Sequence, residues 1–240
     1  MNNKLLLINV SSSNSLWKSN YFEPRVFSIL IGLSPENWEI EIIDENIHTF
    51  HYIEADLVAI TAYTNSINEA YRIADIYLNK NIKVVIGGIH ATLYPYEVLQ
   101  HATTAVVGDA ETTWAEIIND FECSHLKKIY YGRNYGVFTL PKRTPYFNNY
   151  YAATIETSRG CPLNCDFCTV PVIYKNKYYQ RPVDEIITEA KNINNKCIFF
   201  CDDNMYGVSQ KDVERFRRIC QEMINNKIKS QIKRHWEIFH

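Results

Sequence analysis

Five short runs of Leu, Ile and Val punctuate the first half of the chain, and their spacing leaves few folds open. Residues 5–10, 39–43, 56–61, 83–86 and 105–107 each read as a strand. Polar or glycine turns close most of them: Asp44-Glu45-Asn46 after the second, Gly87-Gly88 after the fourth, and Gly108-Asp109-Ala110-Glu111 after the fifth. Helical patterns follow over about 67–79 and 113–121. Apolar strands alternating with helices indicate parallel βαβ units, buried on both faces. Residues 1–122 are therefore expected to form an α/β domain with a doubly wound, Rossmann-like parallel sheet. In such a sheet a ligand lies in the crevice at the carboxyl ends of the strands. Gly87 and Gly88 suit that place, because glycine lets a backbone approach a ligand closely. Two glycines that merely end a strand would read the same.

A second constraint lies at 157–168, where Cys161, Cys165 and Cys168 are spaced C-x3-C-x2-C directly after a strand-like run at 153–157. Three thiolates in one loop can hold three corners of an iron–sulfur cube. With no fourth cysteine in the loop, one iron keeps an open coordination position, the mark of a reactive rather than a structural site. The alternative is a zinc site completed by a distant ligand, with Cys197 and Cys201 the obvious suppliers. Cys197, Phe199 and Cys201 share one face of a strand over 197–201. These two cysteines, with Cys123 and Cys220, are expected to be buried free thiols acting as small hydrophobes.

Between the halves, residues 123–151 carry Gly132, Gly136, Pro141 and Pro145, a spacing that favours extended chain. This stretch reads as a linker whose aromatic end, Tyr146 to Tyr151, packs against its surroundings. From 152 to 240 the order is strand, cysteine loop, helix over 183–195, strand, turn at 202–204, helix over 209–225, and the start of a third strand at 236–239. Pro182 and Asp184 suit the start of the first of these helices, where a missing N–H is harmless and negative charge is favoured.

Through Ser158-Arg159-Gly160-Cys161-Pro162, the cysteine triplet and Phe167, the chain resembles the radical S-adenosylmethionine (radical SAM) enzymes. That resemblance implies a [4Fe–4S] cluster on Cys161, Cys165 and Cys168, with S-adenosylmethionine (SAM) chelated at the open iron. It also implies reductive cleavage of SAM to a 5′-deoxyadenosyl radical. Asp202, Asp203 and Asn204 fall where the family binds the SAM amino group, and a carboxylate beside an ammonium is a charge-assisted pair. A plain helix-leading turn would also favour Asp and Asn. Phe167 falls where the backbone contacts the adenine, and Arg159 is expected to be structural.

Together with Ile43-Asp44-Glu45-Asn46 and the runs 56–64, 84–90 and 106–111, the chain is similar to the subclass in which a cobalamin-binding domain precedes the radical SAM domain. The resemblance implies corrin contacts from Thr61, Tyr63, Thr64, Gly87, Gly88, His90, Gly108 and Glu111. The D-x-H-x-x-G motif that ligates cobalt from below in cobalamin mutases is absent, since Asn46 stands where its histidine would be. An apo Rossmann-like scaffold is the alternative for this half. Residues 152–240 are expected to supply two βα units and the start of a third strand, against six strands in the usual radical SAM fold. The expectation is thus an incomplete radical SAM βα barrel, truncated within the barrel.

The implied activity is carbon–hydrogen activation, with methyl transfer or cyclisation on an unknown substrate. A non-catalytic remnant that binds cobalamin or a partner, or one piece of a split enzyme, is the rival. Flavodoxin or ferredoxin would donate electrons, and a second chain could complete the barrel. A net charge of -2 over 240 residues offers no basic field for nucleic acid or an anionic membrane. No apolar run approaches the roughly 18 residues of a membrane span. Seven cysteines, an odd number, argue against a disulfide framework and for a reducing cytoplasm.

Overall fold

The computed structural model describes residues 3–11, 20–132, 135–195 and 197–228. The expected third strand at 236–239 lies outside the described residues. The chain divides into two compact units, Met1–Ser19 with Val26–Thr139, and Asn20–Arg25 with Leu140–His240.

The first unit runs β1 (Lys4–Asn9), α1 (Arg25–Leu33, its first residue grouped with the second unit), β2 (Glu39–Asp44), β3 (Leu57–Thr61), α2 (Ile67–Leu78) and β4 (Lys83–Gly87). It continues with α3 (Ile89–Leu93), α4 (Pro95–Val98), β5 (Thr104–Gly108), α5 (Trp114–Glu122) and β6 (Ile129–Gly132). The six strands form one sheet in the order β2-β1-β3-β4-β5-β6, every pair parallel. A parallel sheet must bury both faces, and the strands comply: Leu5 to Ile8, Leu57, Val58, Val84 and Ile86 are buried. Helix α2 presents Ala70, Ile73, Ala74 and Tyr77 to Leu6, Ile8, Val58, Ile60, Val84 and Ile86. Those helix positions fall three or four apart, the spacing of one helical face. Burying each large aliphatic side chain contributes about 1.5–3 kcal/mol. Because the chain leaves β1 for β2 on one side and returns to β3 on the other, the order reverses between β1 and β3. That reversal opens a crevice at the carboxyl ends.

Two departures from the sequence reading stand out. Ile129–Gly132, expected in the linker, pair with β5 as a sixth strand. Tyr130 is buried there, its hydroxyl donating to Asp120 at 2.7 Å. Gly132 is no chain breaker: a Cβ there would lie 1.6 Å from the Asp109 carbonyl oxygen, so the turn after β5 requires glycine. The second departure is α1, an apolar helix not read from the sequence.

The second unit holds β7 (Ala152–Ile155), β8 (Ser158–Gly160), α6 (Val170–Tyr174), β9 (Tyr178–Gln180), α7 (Val183–Lys191), β10 (Cys197–Phe200) and α8 (Gln210–Asn225). Strands β7 and β10 are parallel, joined through α7. Ile155, Ile186, Ile187, Ala190, Ile198, Ile219 and Met223 make their core. Helix α7 stops at Lys191, short of the expected 195. On the other edge of β7 lies the segment 20–23: Ala152 N–H donates to Tyr21 O at 2.8 Å, and Glu23 N–H to Ala152 O at 3.2 Å. Buried Glu189 takes Arg25 at 2.7 Å, Arg143 at 2.9 Å, and Arg181. Burial pushes the Glu189 carboxyl up, but the Arg25 and Arg181 guanidiniums outweigh it and hold the group below its ordinary value.

Of the cysteines expected to be buried, only Cys197 is; Cys220 is half-buried, and Cys123 and Cys201 are exposed. Cys123 caps the C-terminus of α5, and Cys201 follows the last residue of β10, where its N–H still donates to Ile155 O at 3.0 Å.

Candidate functional site

Two candidate sites emerge, one in each unit. In the first, the loops after β3, β4 and β5 are laced together at the crevice. Ala62 N–H donates to Gly87 O at 3.2 Å. Thr92 Oγ1 donates to Gly88 O at 2.9 Å and accepts from Gly108 N–H at 3.0 Å, so one hydroxyl joins the fourth and fifth strands' turns. Gly88 has φ +99, and a Cβ there would stand 2.7 Å from Ala62 O. Gly108 has φ +84, and its Cβ would fall 2.2 Å from Gly132 O. Both glycines are thus demanded by the loops themselves. Gly87 differs, for a Cβ there would meet only Val106, at an ordinary 3.7 Å.

Thr61, Gly87, Gly88, Thr64 and His90 are brought together here. Tyr63 is 65 % exposed, and Thr64 opens the short 3-10 turn Thr64–Ser66. Glu111 lies in the turn Ala110–Thr112 beyond Gly108. His90 is buried, with Nδ1 3.2 Å from Thr64 Oγ1 and Nε2 3.3 Å from Glu97 Oε1. The Tyr71 hydroxyl donates to the same Glu97 oxygen at 3.0 Å, and burial, then Glu97, pushes the phenol up. Sequence reasoning missed Thr92, Glu97 and Tyr71, which touch the site only through the fold. The turn at Asp44 closes on itself: its carboxylate accepts from Asn9 Nδ2 at 3.0 Å and from both Asn46 nitrogens at 2.9 Å.

In the second unit, the cysteine loop is inserted between β8 and β9, which pair antiparallel. Gly160 (φ +74) turns the chain into the loop, where a Cβ would lie 2.2 Å from Lys177 O. Cys168 N–H donates to Cys165 O at 3.0 Å, a tight turn that holds the last two cysteines close in the chain. All three thiols are free and half-buried, while Phe167 between them is 92 % exposed. Arg159 is buried and pairs with Glu156 at 2.7 and 2.8 Å. Among the described residues no three His, Cys, Asp or Glu side chains stand close enough to grip a metal ion. The donor set itself, three thiols on one loop and none in a disulfide, is of the chemical kind that an iron–sulfur cluster takes.

The turn after β10 folds onto this loop. Asp202 Oδ1 accepts from Thr157 N–H at 2.9 Å, Thr157 Oγ1 at 2.8 Å and Ser158 Oγ at 2.7 Å. Its Oδ2 is buried with no hydrogen-bond partner. Burial pushes the Asp202 carboxyl up, against the pull of Ser158 and Thr157. Asp203 accepts from Gly160 N–H at 3.1 Å, and Asn204 Nδ2 donates to Cys161 Sγ at 3.3 Å. Tyr178, also missed in the sequence, and Ser158, read there only as part of the lead-in to the cysteines, donate to the Asn204 carbonyl. An orphaned, buried carboxylate oxygen is a ready acceptor for an ammonium group.

The profile of the B12 binding domain matches residues 21–118. The chain carries a B12 binding domain. Bacteriochlorophyllide d C-8(2)-methyltransferase of Chlorobaculum tepidum is 30% identical over 207 residues, 76% of this chain and 46% of that protein. Hopanoid C-2 methylase of Rhodopseudomonas palustris is 23% identical over 205 residues, 78% of this chain and 38% of that one. The chain thus spans less than half the length of these relatives. Among solved structures, the cobalamin-dependent S-adenosylmethionine radical enzyme OxsB superposes with a TM-score of 0.67 at 16% identity, covering 93% of this chain and 37% of that one. The radical S-adenosylmethionine methyltransferase TsrM of Kitasatospora setae gives 0.67 at 15%, covering 94% and 51%. The fold is that of the N-terminal part of cobalamin-dependent radical SAM enzymes, which bears out the resemblance read from the sequence. No helix among the described residues is long and apolar enough to cross a membrane.

Proposed function

We propose that this chain binds cobalamin in the crevice of its B12 binding domain and a [4Fe–4S] cluster with SAM in its second unit. In this reading it serves carbon–hydrogen activation, with methyl transfer the favoured outcome. The relatives support the outcome, since the names they carry are those of methyltransferases and a methylase. The bound groups would supply one-electron cleavage of SAM and a methyl carrier. This chain's own residues do the holding. Cys161, Cys165 and Cys168 offer three thiolates, and Asn204 steadies the first by its N–H. Asp202 is pinned through Oδ1 by Thr157 and Ser158, which leaves Oδ2 to receive the SAM ammonium. At the crevice, the open side of Gly87 and the exposed Tyr63 and Thr64 receive the corrin. An electron would come from a small donor such as flavodoxin or ferredoxin.

The orphaned Asp202 oxygen on the turn that hydrogen-bonds the cysteine loop is the observation that carries the reading. Anaerobic iron–sulfide reconstitution tests it, with iron counting and EPR of the reduced protein. About four irons per chain are expected, with a spectrum that changes on adding SAM and a change lost in Asp202→Asn. Zinc in place of iron, or Cys161→Ala without effect on metal content, would sink it.

A further inference from the structure

The resemblance places His90 against the corrin, yet the imidazole is 4% exposed and both of its nitrogens are engaged. Glu97 Oε1 already accepts the Tyr71 hydroxyl and faces His90 Nε2. A carboxylate only accepts, so the proton between the two groups sits on Nε2. Nδ1 is left to pair with the Thr64 hydroxyl, 3.2 Å away. The ring is held from its sides as well, with Tyr94 at 5.1 Å and Tyr71 at 6.4 Å between ring centroids. Thr64, by contrast, is exposed at the carboxyl end of β3, the first residue of the turn that rims the crevice.

On the reading that this crevice takes cobalamin, we propose that His90 is a positioning residue that never touches the cofactor. Glu97 fixes the ring through Nε2, and Nδ1 fixes the Thr64 hydroxyl and with it the rim of the β3 loop. The chain from Tyr71 through Glu97 and His90 to Thr64 therefore ties helices α2, α4 and α3 to the cofactor's edge. Thr64 is the residue in contact, and its orientation is set from beneath.

Two substitutions separate the arms of the ring. Asparagine places an amide oxygen near Nδ1 and abandons Glu97; glutamine reaches Glu97 and abandons Thr64. Hydroxocobalamin is titrated into the full chain and followed by its visible spectrum, with thermal unfolding recorded alongside. His90→Asn should melt earlier but bind within about twofold of the parent, because the Thr64 contact survives. His90→Gln and Thr64→Val should each bind about tenfold more weakly, the scale of one lost hydrogen bond. The double variant should bind no worse than either, as expected for two ends of one contact. Thr64→Ser should restore the affinity. If His90→Asn binds as poorly as His90→Gln while Thr64→Val binds normally, the imidazole itself meets the ligand and the proposal falls. It falls equally if all variants bind like the parent. A parent chain that leaves the spectrum unchanged sinks the cobalamin reading itself, and the positioning role with it.

Discussion

Asn204 Nδ2 donates a hydrogen bond to Cys161 Sγ across 3.3 Å, joining the turn after β10 to the first cysteine of the loop. Amide donors to a ligating sulfur hold it in place and stabilise its charged form, and outer partners of this kind typically change metal affinity 10–100-fold. Asn204→Ala should therefore lose iron to a competing chelator about tenfold more readily, with helix content unchanged. Retention equal to the parent's would show that the contact does not outlast cluster assembly.

The crevice glycines divide into two kinds, and substitution should tell them apart. Gly88→Ala and Gly108→Ala combine positive φ with a clash against backbone oxygens at 2.7 and 2.2 Å. Each should cost about 1–3 kcal/mol of stability in denaturant unfolding. Gly87→Ala should fold like the parent, its Cβ resting 3.7 Å from Val106. If the corrin passes over this position, Gly87→Ala weakens hydroxocobalamin binding with no change in melting temperature.

Glu189 is the shared acceptor of Arg25, Arg143 and Arg181. Glu189→Ala leaves three largely buried guanidiniums short of a counter-charge and should destabilise the second unit by about 3–5 kcal/mol. The pH dependence follows from the sign of its shift. The folded carboxyl is held below its ordinary 4.5, so its contribution is complete above that value. It is lost as pH falls through the lower, folded value. Acid unfolding followed by far-ultraviolet circular dichroism should begin at higher pH in Glu189→Gln.

The start of α8 offers an independent acid-sensitive element. Ser209 and Asp212 form a reciprocal cap, and Gln180 Nε2 adds a bond to Asp212 at 2.8 Å. The Ser209 hydroxyl and amide hold the Asp212 carboxyl down at about 2. Its stabilisation is present above pH 3.8 and is lost as pH falls towards 2. Ser209→Ala should cost about 1 kcal/mol at neutral pH. Asp212→Asn should flatten the pH dependence of α8 unfolding in that window. An unchanged pH profile would show that solvent screens the cap completely.

Most of the parallel sheet was legible because its strands are bare apolar runs, for which the chain offers no other use. Strand β6 was not, since Lys127 and Lys128 precede it and Gly132 imitates a breaker. Only the tertiary approach of Asp109 explains that glycine. The cysteine loop was legible as a donor set through its spacing. Its frame was not: β8 and β9 are three residues each, too short for any period to show. Asp202 and Asn204 were legible as a pair with the loop only through the family resemblance. The side chains that fasten them, Thr157, Ser158 and Tyr178, are ordinary polar residues until folding brings them within 3 Å. His90 was visible as a histidine after a glycine pair, but its partner Glu97 lies seven residues on, across the break between α3 and α4.

The segment 20–25 follows β1 and interrupts the first unit in sequence, yet it is packed into the unit that carries the cysteines, along the edge of β7. That unit is consequently discontinuous in the gene. A single crossover between relatives near residue 140 would pair one parent's edge segment with another parent's β7. Functional chimeras should be recovered where Tyr21, Glu23 and Arg25 travel together with Arg143 and Glu189, and lost where recombination parts them.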